Sequence, residues 1–322
     1  MQKKRLLVYG DIDIDIIVKT DSSSAVDEDG KVEEALFSPG GSAANCAAIA
    51  SRLGLPTTFL GAISRDHWSR LLVKDLHKYN VTTKYMQKVD GPTPICVSIV
   101  DNQGGRKFYS YRGVNQLFPL KSIPPPLLET NHCLHLSGYS FQDPDSHLTA
   151  VHIIQEARDN GLLVSLDPSF LFSKQLDIKN NEILSGLDFF YPNNEEAYQL
   201  TRHRDPLKAA RVIREYGPKV VIVTLGKDGC LVLGEGIQEF VSLGSIEGVV
   251  DTTGAGDAFC GGFLMAVLNG LPLVQACKVG SATSAHLITR LGGHEHAPFL
   301  PDIQQILREY HEDELTKILE KL

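Results

Sequence analysis

The sequence predicts a three-layer α/β fold, with a mainly parallel central sheet covered by helices on both faces and a small β-sheet beside it. Three observations lead there. From residue 133 onward, short apolar runs alternate with helical stretches, the pattern that builds parallel β-α-β layers. The runs LLVSL and VVIVTL are apolar throughout, as strands buried on both faces are. Earlier segments behave differently. RLLVYGDIDIDIIV sets Asp11, Asp13 and Asp15 against Ile12, Ile14 and Ile16, and PICVSIVDNQGGRKFYSYRG reads as a hairpin around a Gly-Gly turn. Alternation of this kind suits a sheet with one covered face. A single domain over residues 1–322 is expected, with lid strands from about 11–19, 31–39 and 94–113.

Taken in order, Arg5 to Val18 has strand periodicity and Thr20 to Lys31 reads as a polar loop. Gly40 to Gly54 is small-residue and helical, closed by a glycine. TTFLGAI is a short buried strand, and the 94–113 hairpin follows. Pro124 to Pro126 marks a stiff connection. CLHLSGY, LLVSLD, LDFFYPN and KVVIVTLG read as strands; HLTAVHIIQEARDNG, NEEAYQLT and PLKAARVIREYG read as helices. CLVLG and IQEFVSL form a second hairpin, and GDAFCGGFLMAVLNG and VQACKVGSATSAHLITRLG are helices.

Composition narrows the function. With 322 residues, 43% hydrophobic and 22% charged, the chain is of ordinary globular type. A net charge of -8 argues against a dedicated nucleic-acid binder, which needs a basic footprint. No apolar run is long enough for a membrane span, and the four-residue run before Asp11 is too short for a signal-peptide core. Six scattered cysteines without a CxxC pair suit a reduced, cytoplasmic setting.

DTTGAGDAFCGGF (Asp251 to Phe263) carries the most chemistry. A glycine turn entering a helix points N–H groups outward with the helix dipole behind them, which favours an anion such as a phosphate. The stretch completes neither the Walker loop nor the dinucleotide fingerprint. Asp257 in such a place cannot bind the phosphate. It can take a proton from a hydroxyl that attacks it. The plain alternative is a helix-capping aspartate.

The same stretch resembles the second signature of the ribokinase/PfkB carbohydrate kinases, and four more segments match in the family's order. They are GDIDID (Gly10 to Asp15), SPGGSAANCAAIASRLG with Gly40, Gly41 and Asn45, PNNEE with Asn193 and Glu196, and TLGKDG (Thr224 to Gly229). The likeness spans about residues 5 to 305. It implies a ribokinase-like fold and an ATP-dependent kinase that phosphorylates a hydroxymethyl group of a small sugar. Asp257 would be the base, with Gly254, Ala255 and Gly256 as the anion hole. Asp13, Asp15, Gly40, Gly41, Ser42, Asn45, Arg112 and Asn115 would meet the sugar. Asn193 and Glu196 would act on Mg²⁺-ATP, and Thr224, Gly226, Lys227, Gly229 and Ser281 would line the nucleotide. By the same resemblance a K⁺ ion would be held by Asp251, Thr253, Leu287, Arg290, Gly292 and His296.

Ser42 and Ala43 stand where the ribose-specific branch carries Lys-Gly, and Asp13 stands where it carries Asn, so a ribonucleoside is the alternative substrate. A non-catalytic sugar-binding relative is a further reading. HCLH (His132, Cys133, His135) and HEH (His294, His296) lack a closed four-ligand zinc set. The half-apolar lid hairpin suggests a homodimer, since an isolated sheet of this kind leaves an open edge.

Overall fold

LLVY forms β1 (Leu6–Tyr9), buried along its whole length. The chain then changes sheets, and β2 (Asp13–Lys19) pairs elsewhere. The continuous strand expected from Arg5 to Val18 is therefore two strands. The break lies at Gly10, packed so tightly that a Cβ there would stand 2.6 Å from Ala43 Cβ. Asp11, in the connection, accepts the N–H of Ser42 at 2.9 Å and so caps the next helix. The structure is a computed structural model that describes residues 3–19, 32, 34–100, 106–117, 122–180, 182–244, 246–290 and 292–322.

Onward the chain runs through β3 (Glu34–Gly40), α1 (Ser42–Arg52), β4 (Thr57–Leu60), β5 (Ala62–Ser64), α2 (Trp68–Lys78), β6 (Gln87–Val89), β7 (Ile95–Val100) and β8 (Arg106–Tyr111). The layered part follows, with α3 (Pro125–Thr130), β9 (Cys133–Ser137), α4 (Pro144–Asp159), β10 (Leu163–Asp167), α5 (Phe170–Gln175) and β11 (Phe189–Phe190). Then come α6 (Asn194–Thr201), α7 (Pro206–Glu215), β12 (Val220–Thr224), β13 (Cys230–Gly234) and β14 (Ile237–Val241). The chain closes with α8 (Ala255–Leu268), α9 (Leu273–Ile288), α10 (Leu300–Glu309) and α11 (Asp313–Leu319).

Eight strands form one sheet in the order β14-β13-β12-β11-β10-β9-β1-β4. Its pairs are parallel from β12 to β4, and β13 and β14 continue it antiparallel. Alternate residues feed two cores: Leu6, Val8 and Ile222 join one, and Leu7, Tyr9 and Val221 the other. Both faces are thus covered, as the unbroken apolar strands implied. The smaller sheet runs β3-β2-β7-β8. It is built from residues 13–19, 34–40, 95–100 and 106–111, and the Gly104-Gly105 turn expected in its hairpin lies outside the described residues.

Three differences from the sequence reading matter. α2 was not expected, because its face is interrupted by charge; it buries Ser69, Leu72, Asp75 and Leu76, an i, i+3, i+6, i+7 stripe. α10 buries only Ile303 and Leu307 and carries a weak signal for the same reason. The proline run is not merely a stiff link, since Pro125 opens α3, where its missing N–H costs nothing.

Candidate active site

In open parallel sheets, ligands gather beyond the carboxyl ends of the strands. Here those ends deliver one residue after another to a cleft of about 510 Å³: Asp11 after β1, Tyr139 after β9, Asp167 at β10, Asn193 after β11 and Thr224 at β12. β2, β7 and β8 of the small sheet wall its other side with Asp13, Asp15, Cys96 and Tyr111. A second cavity of about 310 Å³ adjoins it, sharing Thr224, Thr252, Ala255 and Gly256.

Asp257 sits in the first turn of α8, nearly buried, in the wall of the larger cavity. Both its carboxylate oxygens are held. Ser42 donates its hydroxyl to Oδ1 at 2.7 Å, and Asn45 donates from Nδ2 to Oδ2 at 2.7 Å. Burial lifts its pKa to about 6, against the pull of those two donors. Ser42 and Asn45, expected at the sugar, thus also grip the base candidate, and the two motifs meet at one carboxylate.

Gly254 caps α8 with φ 72°, and a Cβ there would lie 2.7 Å from the Gly293 carbonyl oxygen. Only glycine fits that approach, so the loop after α9 forms the back wall of the turn. Of the expected anion-hole donors, Ala255 is spent: its N–H donates to the Thr252 carbonyl at 3.2 Å. Gly256 and Asp257 follow at the open helix start, where N–H groups have no carbonyl one turn earlier.

Asp13 Oδ1 and Asn115 Oδ1 are buried, line the cleft and have no hydrogen-bond partner among the described residues. Asn115 donates from Nδ2 to the Ile12 carbonyl at 3.2 Å, which leaves its oxygen turned to the cleft wall. Burial, then the neighbouring Asp15 and Asp11, push Asp13 well above the usual carboxylate range. Burial and Glu295 raise Asp15 to about 7. Gly41 lines the cleft, but Gly40 stands behind Asp15; a Cβ on Gly40 would fall 2.0 Å from Asp15 Oδ2. Its smallness makes room for the carboxylate instead of a ligand. Arg112 also lines the cleft, with its charge already met: Nε donates to Asp143 at 3.0 Å and a terminal nitrogen to the Tyr139 carbonyl at 2.8 Å.

Asn193 and Glu196 form a reciprocal cap of α6: Asn193 accepts the Glu196 N–H at 2.9 Å, and Glu196 accepts the Asn193 N–H at 2.8 Å. The pair thus serves the start of the helix, and both residues still line the cleft. Burial lifts Glu196 to about 7. Asp167 is the residue sequence reasoning missed. Burial and then Glu196 drive it well above its ordinary pKa. The available signal was its position as the last residue of a parallel strand. Two crowded carboxylates are the donor type that Mg²⁺ takes alongside phosphate oxygens. Thr224, Gly226, Lys227, Gly229 and Ser281 come together around the smaller cavity.

The set implied for K⁺ is brought together in part. Asp251 accepts the N–H groups of Thr253 at 2.8 Å and Gly292 at 3.1 Å, stitching the two segments side by side. The Leu287 carbonyl accepts the Arg290 N–H at 3.1 Å. His296 is exposed, whereas His294 is buried and bonded to Asn45 and Asp75. Among the described residues no cluster of three or more His, Cys, Asp or Glu could hold a metal ion. Nor is any described helix long and apolar enough to cross a membrane.

A layered α/β fold, strand ends opening on a cleft, and a held carboxylate at a glycine-entered helix define a phosphotransferase with an alcohol acceptor. The chain belongs to the pfkB family of carbohydrate kinases, whose profile matches residues 3–299. It is 28% identical over 277 residues to an ATP-dependent 6-phosphofructokinase of Thermoanaerobacterium thermosaccharolyticum, covering 84% of each chain. It is 28% identical over 293 residues to a cytidine kinase of Thermococcus kodakarensis, covering 89% of this chain and 97% of that one. A crystal structure of ribokinase from Thermotoga maritima superposes with TM-score 0.81 at 27% identity, over 95% of this chain and 99% of the other.

Proposed function

We propose that the protein transfers the γ-phosphate of ATP to a hydroxymethyl group of a small neutral sugar, with Asp257 as general base. The observation that carries this reading is the place of Asp257: a carboxylate lifted to about 6, held on both oxygens, where the two cavities meet at the start of α8. A base with a pKa near neutrality is ionised in the cell and still accepts a proton readily. The helix-start N–H groups of Gly256 and Asp257 would face the phosphoryl oxygens. Asp13, Asp15 and Asn115 would accept the sugar hydroxyls, since each offers acceptor oxygen in a buried wall. Neutrality follows from charge. Arg112 is the only cation among the described residues lining the larger cleft, and Asp143 already neutralises it. A phosphorylated or acidic sugar would meet carboxylates.

Asp167 and Glu196 would hold Mg²⁺, which would supply charge neutralisation for the phosphates. Carbonyls beside Asp251 suit an alkali cation in kind; equal turnover in K⁺, Na⁺ and a bulky organic cation at one ionic strength would remove that ion from the proposal. The small sheet would act as a lid, because Ile95, Phe108 and Tyr111 line the cleft. Its outer face, where Phe37 and Tyr109 are exposed, would pair with a second copy; sedimentation giving only a 35.3 kDa species would exclude that.

The aromatic lining by Phe108, Tyr111 and Tyr139 favours a second reading, a ribonucleoside whose base stacks there. Turnover of a panel of pentoses, hexoses, sugar phosphates, sugar acids and nucleosides with Mg²⁺-ATP decides. A neutral sugar as best substrate supports the first reading and a nucleoside the second. A phosphosugar or sugar acid contradicts both, and no turnover with ATP intact points to the non-catalytic relative.

A further inference from the structure

Three buried side chains stand in line behind Asp257: Asn45 from α1, His294 from the loop after α9, and Asp75 from α2. Asn45 donates from Nδ2 to Asp257 at 2.7 Å, which leaves its Oδ1 facing His294 Nδ1 at 2.6 Å. A carbonyl oxygen only accepts, so Nδ1 carries a proton. On the far side Nε2 lies 2.6 Å from Asp75 Oδ2. Burial pushes Asp75 up, but His294 and then Lys78, 3.0 Å away, hold it below its usual range. The imidazole is thus held by a partner at each nitrogen. Glu295 accepts the His294 backbone N–H at 3.2 Å, and the Tyr79 ring meets the imidazole edge-on at 5.1 Å.

We propose that Asp75 and His294 are positioning residues that fix the orientation of the Asn45 amide and so keep an N–H donor on Asp257. With Nδ1 set against Asn45 Oδ1, the amide turns its nitrogen to Asp257. A flipped amide would present its oxygen to the Asp257 carboxylate, two acceptors face to face. Asp75 contributes by anchoring the far edge of the ring through Nε2. Only the final link of the chain touches the site, and Asp75 acts across two intervening residues. The inference rests on Asp257 as base for its effect on rate, but its effect on Asp257 itself is measurable without turnover.

The test uses the full chain with His294→Leu, His294→Asn and Asp75→Asn. ¹³C NMR follows the Asp257 carboxyl titration, assigned by difference from Asp257→Asn. Steady-state kinetics give kcat and both KM values across pH. In His294→Leu the Asp257 midpoint should rise by about one pH unit as a favourable donor is lost. The acid limb of kcat should move with it. At neutral pH kcat should fall roughly tenfold, while both KM values stay within about threefold. His294→Asn, whose amide nitrogen takes the place of Nδ1, should recover most of the rate. Asp75→Asn keeps a partner for Nε2 and leaves Nδ1–H toward Asn45, so it should move both readouts less than His294→Leu. Should His294→Leu not fold, a further variant, Asp75→Ala, which removes the anchor at Nε2, decides by the same readouts. An unmoved Asp257 midpoint with only a lower Tm would overturn the proposal and make the pair a structural tie between α2 and the loop. Absence of kinase activity in the unaltered protein would sink the base reading instead, and the NMR titration would still decide whether the pair acts on Asp257.

Discussion

On one side of Asp257 the wall is made of charged side chains; on the other it is made of turns. The larger cavity presents Asp11, Asp13, Asp15, Asp167 and Glu196, several of them held above their ordinary pKa values by burial and by one another. The smaller one presents Gly226, Gly229, Gly244 and Gly256 with Lys227 exposed at its edge. The difference teaches where selectivity resides. A wall of carboxylates rejects ligands that cannot donate to it. A wall of backbone accepts any group of the right shape and charge, as suits a nucleotide shared by many enzymes.

The contrast can be broken at its hinge first. Asp257→Asn keeps the shape and removes the proton acceptor, so kcat should fall ~10²–10⁴-fold while calorimetry finds both ligands still bound. A variant keeping more than about a tenth of kcat removes Asp257 from the chemistry. Next comes the charged wall. Asp13→Ala or Asn115→Ala should lower kcat/KM for the acceptor by roughly 10²-fold, since each leaves hydroxyl donors unpaired. The KM for ATP should not change. If it rises in parallel, the two cavities do not divide the labour as described.

A third outcome concerns pH and needs no substrate. Asp15 and Glu196 are lifted to about 7 and Asp257 to about 6. Between about pH 4 and pH 7 the ligand-free folded chain holds protons that the unfolded chain has released. Stability from these groups is present in mild acid and is lost as pH rises through that window. The melting midpoint should be a few degrees higher near pH 5.5 than near pH 8. The smallest effect belongs to the other wall: Lys227→Ala should raise the KM for ATP by less than about tenfold, because an exposed charge is screened. A larger loss would mean that the turn-built side recognises through side chains after all.

The same contrast explains what was legible in the sequence. Glycine turns leave a local signature, so the loop at Gly254 and the turn from Thr224 to Gly229 could be read directly. The layered sheet was legible for a similar reason, because burial on both faces erases alternation in runs such as VVIVTL. Asp167 was not legible as a site residue, since a strand-end aspartate looks ordinary until Glu196 is placed beside it. α2 escaped for a related reason: Asp75 breaks its apolar stripe, and the charge has a purpose only once His294 is known to meet it. Gly40 was assigned to ligand contact on motif grounds, but the side chain that needs its space is Asp15, two positions along the neighbouring strand from its pairing partner Asp13.

The grip of Ser42 and Asn45 on Asp257 spans 215 and 212 residues of chain, and Gly293 backs the same turn from later still. Contacts so distant along the polypeptide are the slowest to form, because the chain between them must be closed before they contribute anything. On the ribosome, α1 emerges and can fold against β1 and β4 long before the residue it must hold has been made. The Asp257 carboxylate would thus be put in place at the end of folding, and a nascent chain arrested before the loop at 292–296 would carry most of the sheet without the full set of contacts around it.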